Sequence, residues 1–105
     1  MKVRVQSWGV LSRRLGWPEK ILEAEGDVTV REALQRMPGI PAGGELTGND
    51  GDTLYEIMTR NDSVRVDKWL CINGRIQTAR AEVLDKALND GDELLVMEAT
   101  LSGGG

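Results

Sequence analysis

The sequence predicts a single α+β domain, and three observations carry that prediction. KVRVQSW at 2–8 alternates polar and apolar side chains with the period of a strand. GDVTVREALQRMP at 26–38 places a capping pair ahead of an apolar stripe at helical spacing and then a proline. Short apolar runs bounded by turn residues follow, in WLCING at 69–74 and DELLVMEA at 92–99. A chain of 105 residues fits one hydrophobic core.

In the opening strand Val3, Val5 and Ser7 share one face and the charged or polar residues the other. VLSRRLG then sets Val10, Leu11 and Leu15 beside Arg13 and Arg14, which predicts a short helix ended by Gly16 and Pro18. EKILEAEGD reads as a second strand, with Leu22 and Ala24 on one face and Ile21 and Glu23 on the other. The main helix comes next. Thr29 is placed to cap it, Glu32 to complete a capping box, and Val30, Ala33, Leu34 and Met37 recur on one face before Pro38 stops the run.

From Gly39 to Asp52 the glycines and small polar residues predict a surface loop, and TLYEIMTR, with Thr53 and Glu56 as a cap pair, predicts a further short helix. VRVDKWLCING reads as a strand covered on both faces, with Leu70 and Ile72 opposite Trp69 and Cys71, ended by the turn pair Asn73-Gly74. TARAEVLDKAL has helical spacing through Val83, Leu84, Ala87 and Leu88. Asn89 to Asp92 form a turn, and Leu94 to Met97 a last strand that is apolar on both faces.

Composition excludes several classes of chemistry. With 13 basic and 17 acidic residues the net charge is −4, which opposes binding to a nucleic-acid backbone. RVDKWL resembles the start of a small RNA-binding domain, but the Asn-Gly turn follows at once where that domain needs helices. No apolar run approaches the roughly 18 residues of a membrane span, and MKVRVQSWGV lacks the uninterrupted apolar segment of a secretory leader. The single cysteine, Cys71, forms no internal disulfide or CxxC motif, and these absences together predict a cytoplasmic protein. There is no histidine, so the usual general base, zinc ligand and nucleophile-activating partner are missing. No metal site is expected: Asp90, Asp92 and Glu93 have the spacing of a turn rather than a full oxygen-ligand series. Cys71 reads as a small buried strand residue, Trp8, Trp17 and Trp69 as core or edge packing, and Arg13 and Arg14 as solvated.

The ordered set KVRVQSWGVLSRRLG, GDVTVREALQRM, CINGR and ALNDGDELLVMEATLSGG resembles the small sulfur-carrier family that contains the molybdopterin synthase small subunit and the thiamine sulfur carrier. The resemblance implies a ubiquitin-like β-grasp fold, with a mixed sheet packed against the main helix. It implies one domain over 1–100, expanded at 39–67, and a flexible tail at 101–105. It also implies that the terminal glycine carboxylate is the reagent: an adenylating enzyme activates it, a sulfur donor protein converts it to a thiocarboxylate, and a sulfur-accepting synthase or large subunit consumes it. ATP is used by the activating partner, no cofactor is tightly bound, and the carrier itself is not an enzyme.

On this sequence Gly105 would bear the adenylate or thiocarboxylate, with Gly103 and Gly104 completing a tail of small volume. Glycine suits that task because it enters extended and left-handed conformations without a Cβ clash. Ordering each residue costs roughly 1–2 kcal/mol, so contact between the folded bodies must offset several kcal/mol, and the exposed sheet face is the expected contact. The familiar family ending resembles Pro-Pro-x-Ser-Gly-Gly, whereas this chain ends Glu98-Ala99-Thr100-Leu101-Ser102-Gly103-Gly104-Gly105. Either Gly105 is the reactive residue or its removal exposes Gly104. The resemblance points first to molybdopterin or related cofactor biosynthesis, with thiamine synthesis or tRNA thiolation as other sulfur-carrier roles; the same terminus would serve a ubiquitin-like modifier joined to lysine, and a non-catalytic binding module is the remaining class.

Overall fold

The computed structural model describes residues 1–39 and 53–98. Strand β1 (Lys2–Trp8) leads directly into helix α1 (Gly9–Leu15), and β2 (Glu19–Glu23) returns alongside β1. Helix α1 ends where Gly16 adopts a φ of 84° and its amide donates to the Ser12 carbonyl at 3.0 Å. A short β3 (Val28–Thr29) precedes helix α2 (Val30–Arg36). Both bonds of the capping box form there: the Glu32 amide donates to Thr29 Oγ1 at 3.2 Å, and the Thr29 amide donates to Glu32 Oε1 at 3.1 Å. Met37, ahead of Pro38, is extended rather than helical, as the proline ring requires of its predecessor.

Beyond the Pro38–Thr53 bridge come α3 (Leu54–Met58), then β4 (Thr59–Arg60) and β5 (Ser63–Val64), paired as a hairpin. The predicted Thr53 cap is present, with the Glu56 amide 3.4 Å from Thr53 Oγ1. The loop expected over 39–52 lies outside the described residues except for Gly39. Strands β6 (Lys68–Ile72) and β7 (Arg75–Ile76) flank the Asn73-Gly74 turn, where both residues have positive φ. A 3₁₀ turn over Glu82–Asp85 leads to β8 (Ala87–Leu88), and β9 (Glu93–Glu98) completes the sheet.

Five strands pair in the order β2-β1-β9-β6-β7. Strands β1 and β9 run parallel and the other pairs antiparallel, so the sheet is mixed as predicted. Its inner face carries Val3, Val5, Leu22, Leu70, Leu94 and Val96, which share one buried cluster with Leu11 and Leu15 of α1 and Val30, Ala33 and Leu34 of α2. The sheet thus has one dry face, and the helices supply its cover.

Several expectations are corrected. TARAEVLDKAL is not a helix: Val83 and Leu84 are buried through a single 3₁₀ turn, and Leu88 pairs with Val28 in a two-stranded ladder. The spacing that suggested a helix arises because that turn and the strand after it both send apolar residues to one core. VRVDKWLCING does not form one strand either, because a turn closed by the Lys68 amide donating to the Arg65 carbonyl at 3.0 Å separates β5 from β6. Val10 joins no core face and stays exposed, and only Trp17 of the three tryptophans is buried.

Candidate functional site

The alternation that buries one side of the sheet sends the other set of side chains outward. Strand registry places Met97 of β9 directly between Trp8 of β1 and Trp69 of β6. Next to this row, Gln6, Leu95, Cys71 and Ile76 form a second row across four strands. Trp8 is 59% exposed, Trp69 40% and Ile76 54%, while Leu95 and Met97 are half-buried by their neighbours. An apolar surface spanning several strands is therefore left open among the described residues. The covering expected on both faces of β6 reaches Cys71 on the outer face but leaves Trp69 exposed.

Charges at the other end of this face are satisfied locally. Arg4 lies opposite Glu93 and donates to its carboxylate at 2.9 Å, with the Glu19 carboxylate 3.7 Å from Nε. The aspartates of the preceding turn are equally occupied: Asp90 accepts from the Lys2 amide at 2.7 Å, and Asp92 accepts from the Asn89 amide at 2.7 Å and from Asn73 Nδ2 at 3.0 Å. The turn reading of Asp90, Asp92 and Glu93 agrees with these bonds. Among the described residues no group of three or more His, Cys, Asp or Glu side chains is placed to hold a metal ion. Cys71 is buried, and desolvation holds its thiol above the ordinary value, which suppresses the nucleophilic thiolate.

The Trp8–Met97–Trp69 row lies at the C-terminal end of β9, one residue before Glu98. Glu98 is held on the opposite face. Arg14 Nη1 donates to its two oxygens at 2.7 and 3.2 Å, and Lys68 Nζ donates to Oε1 at 3.0 Å. Arg14 is thus engaged rather than simply solvated, a contact the sequence reading missed because its partner lies 84 residues away. Gly103, Gly104 and Gly105 lie outside the described residues, and the last described residue, Glu98, stands next to the apolar row.

A second polar cluster ties α3 and the β4–β5 hairpin to the main helix. Arg31 of α2 pairs with Asp62 in the β4–β5 turn, lies 3.0 Å from the Tyr55 hydroxyl and reaches Asp85 at 3.2 Å. Tyr55 donates to Asp62 at 2.7 Å. Hydrogen bonds from Arg31 and Tyr55 hold the Asp62 carboxyl below its ordinary range, and the same acceptor raises the Tyr55 hydroxyl. Asn61 and Asp62 have φ of 53° and 60°, the left-handed pair of a tight hairpin turn.

No protein-family model and no curated protein matches the sequence. Solved structures do match in three dimensions, and together with the mixed sheet they define the fold as ubiquitin-like β-grasp. Similar structures include SAMP1 from Haloferax volcanii, with a TM-score of 0.63 and 16% identity over 98% of this chain and 100% of that one. A chain of the Amycolatopsis orientalis BexX/CysO complex gives a TM-score of 0.57 and 21% identity over 96% and 99% of the two chains. The small archaeal modifier protein 1 from Methanosarcina acetivorans gives 0.55 and 20% over 97% and 96%. At such identities the shared property is the fold. No described helix is long and apolar enough to cross a membrane.

Proposed function

We propose that this chain is a carrier whose C-terminal glycine carboxylate is activated by adenylation and then converted to a thiocarboxylate that donates sulfur, in molybdopterin or a related cofactor pathway of the cytoplasm. The observation that carries the reading is the apolar Trp8–Met97–Trp69 row at the root of a tail that ends in three glycines. Such a row offers the body-to-body contact that ordering a tail requires, and small residues let the tail enter a narrow channel.

The chemistry belongs to the partners. The Gly105 carboxylate attacks the α-phosphate of ATP and expels pyrophosphate, and sulfide released by a donor protein then displaces AMP at the acyl carbon, which leaves the terminal thiocarboxylate. An accepting synthase consumes the thiocarboxylate. This chain contributes the carboxylate, the small tail and the docking face, while the activating enzyme supplies the ATP site. Removal of Gly105 to expose Gly104 is the alternative form of the same step.

A second reading has its own support, since two of the similar structures are named SAMP1 or small archaeal modifier protein 1. In it the same acyl-adenylate ends as an isopeptide bond to a lysine. Intact mass after incubation with ATP, an adenylating enzyme of the same genome and a sulfur donor separates the outcomes. Exchange of one C-terminal oxygen for sulfur supports the carrier, isopeptide-linked Gly105 on cellular proteins supports the modifier, and unchanged protein in both assays overturns both.

A further inference from the structure

Lys68 is only 4% exposed and is the buried side chain with a formal charge among the described residues. It lies on the inner face of β6 in line with Leu70 and Ile72, and it pairs in register with Glu98, which continues the inner face of Leu94 and Val96. Both positions at this end of the sheet fall where the pattern of the two strands calls for apolar residues. They instead hold a charge pair, joined by Arg14 from α1 and by Asp67, whose Oδ2 is 3.1 Å from Lys68 Nζ. Partial burial works against ionisation of Asp67, but the Lys68 hydrogen bond and the charges of Lys68 and Arg65 outweigh it and hold the carboxyl below its ordinary range.

Stability does not explain this choice, because removing charges from water costs about as much as their attraction returns, and well-packed apolar residues commonly do as well. Direction is what the ion cluster adds. An apolar contact is non-directional, whereas a carboxylate bonded at once to α1 and to β6 has its orientation fixed from two sides. Glu98 is also the last described residue of β9, so whatever orients it fixes the described end of the strand that the chain's C-terminal residues follow. On the outer face the preceding residue, Met97, sits between the two tryptophans.

We infer that Glu98 is a positioning residue: clamped by Lys68 and Arg14, it fixes the end of β9, through which the reactive terminus is attached, relative to the Trp8–Met97–Trp69 docking row. The inference rests on the adenylation reading above. Misplacing a reacting group by about 1 Å can cost roughly a hundredfold in rate, so aim at the tail's root is expected to appear in turnover rather than in docking.

The test is ATP–pyrophosphate exchange with an adenylating enzyme of the same genome, using the full chain and the double variant Lys68→Met with Glu98→Leu. The expected result is a kcat lowered by about tenfold or more, with KM for this chain within about twofold and thermal unfolding close to wild type. Should the double variant fail to fold, Glu98→Gln, which keeps the side-chain size and removes its charge, is expected to give the same split between kcat and KM. Unchanged kcat in a folded variant, or a raised KM alone, overturns the clamp while leaving the adenylation reading intact. A wild-type chain that supports no exchange with the adenylating enzymes of its genome overturns both.

Discussion

Trp69 and Leu70 are neighbours on β6 and point to opposite faces, so truncating each in turn separates stability from docking. Leu70 is 1% exposed within the core cluster, and Leu→Ala at such a site costs about 2–5 kcal/mol from lost burial and the cavity left behind. Against a total stability of roughly 5–15 kcal/mol, a loss of about 3 kcal/mol lowers Tm by roughly 12–24 °C in a domain of this size. Trp69→Ala removes mainly an outer-face cross-strand pairing with Met97, which contributes about 0.2–1 kcal/mol, so Tm falls by roughly 1–8 °C. If Trp69 anchors the partner, its loss weakens docking by about 2 kcal/mol or more, roughly a thirtyfold rise in the half-saturating concentration. Thermal unfolding and ATP–pyrophosphate exchange on the same two variants read these quantities. Equal destabilisation by both substitutions would refute the two-faced sheet, and unaltered half-saturation with Trp69→Ala would refute its role in docking.

Thr29→Ala deletes the side chain that accepts from the Glu32 amide, and denaturant unfolding should show a loss of about 1 kcal/mol; no change would mean that the capping box is dispensable. Cys71, buried with its thiol raised by desolvation, should react with a thiol reagent at pH 8 only slowly until denaturant is added. Prompt labelling of the folded chain would contradict its burial. Asp62→Asn should reduce stability at pH 7, because the carboxylate is held by Arg31 and Tyr55. Since the folded-state value is depressed, that contribution is present above the unfolded value of 3.8 and is lost as pH falls through the lower folded one. The gap between the urea midpoints of wild type and variant should therefore begin to narrow below about pH 3.8 and close beneath the lower folded value, and a gap that does not narrow on acidification would rule out the ion pair as its cause.

Much of the scaffold is legible because local rules suffice for it. The alternation of Val3, Val5 and Ser7, the Thr29–Glu32 box, the Pro38 stop, the Gly16 ending and the Asn73-Gly74 turn each depend on residues within a few positions. Two-residue strands such as β3 and β8 have no period to detect, and their pairing joins residues about sixty positions apart. The helix expected at 78–88 fails for that reason. The same limit applies to Arg14: a short helix with two adjacent arginines reads as solvated until the fold brings Glu98 to it.

The sequence by itself determined the α+β class, the strand and helix that open the domain and the glycines that end it, because periodicity, caps and stops are local properties. It also shows that these 105 residues bring no histidine to any site. Which apolar residues are core and which are surface depends on how the strands pair. Leu70 and Trp69 look equally apolar in sequence, and their difference comes from registry: the parallel pairing of β1 with β9 and the antiparallel pairing of β6 with β9 bring Trp8, Met97 and Trp69 into one row on the open face. That pairing also sets Lys68 and Glu98 opposite one another where β6 begins and the described part of β9 ends, and a charge pair in an inner-face position there acquires a meaning that neither residue has alone.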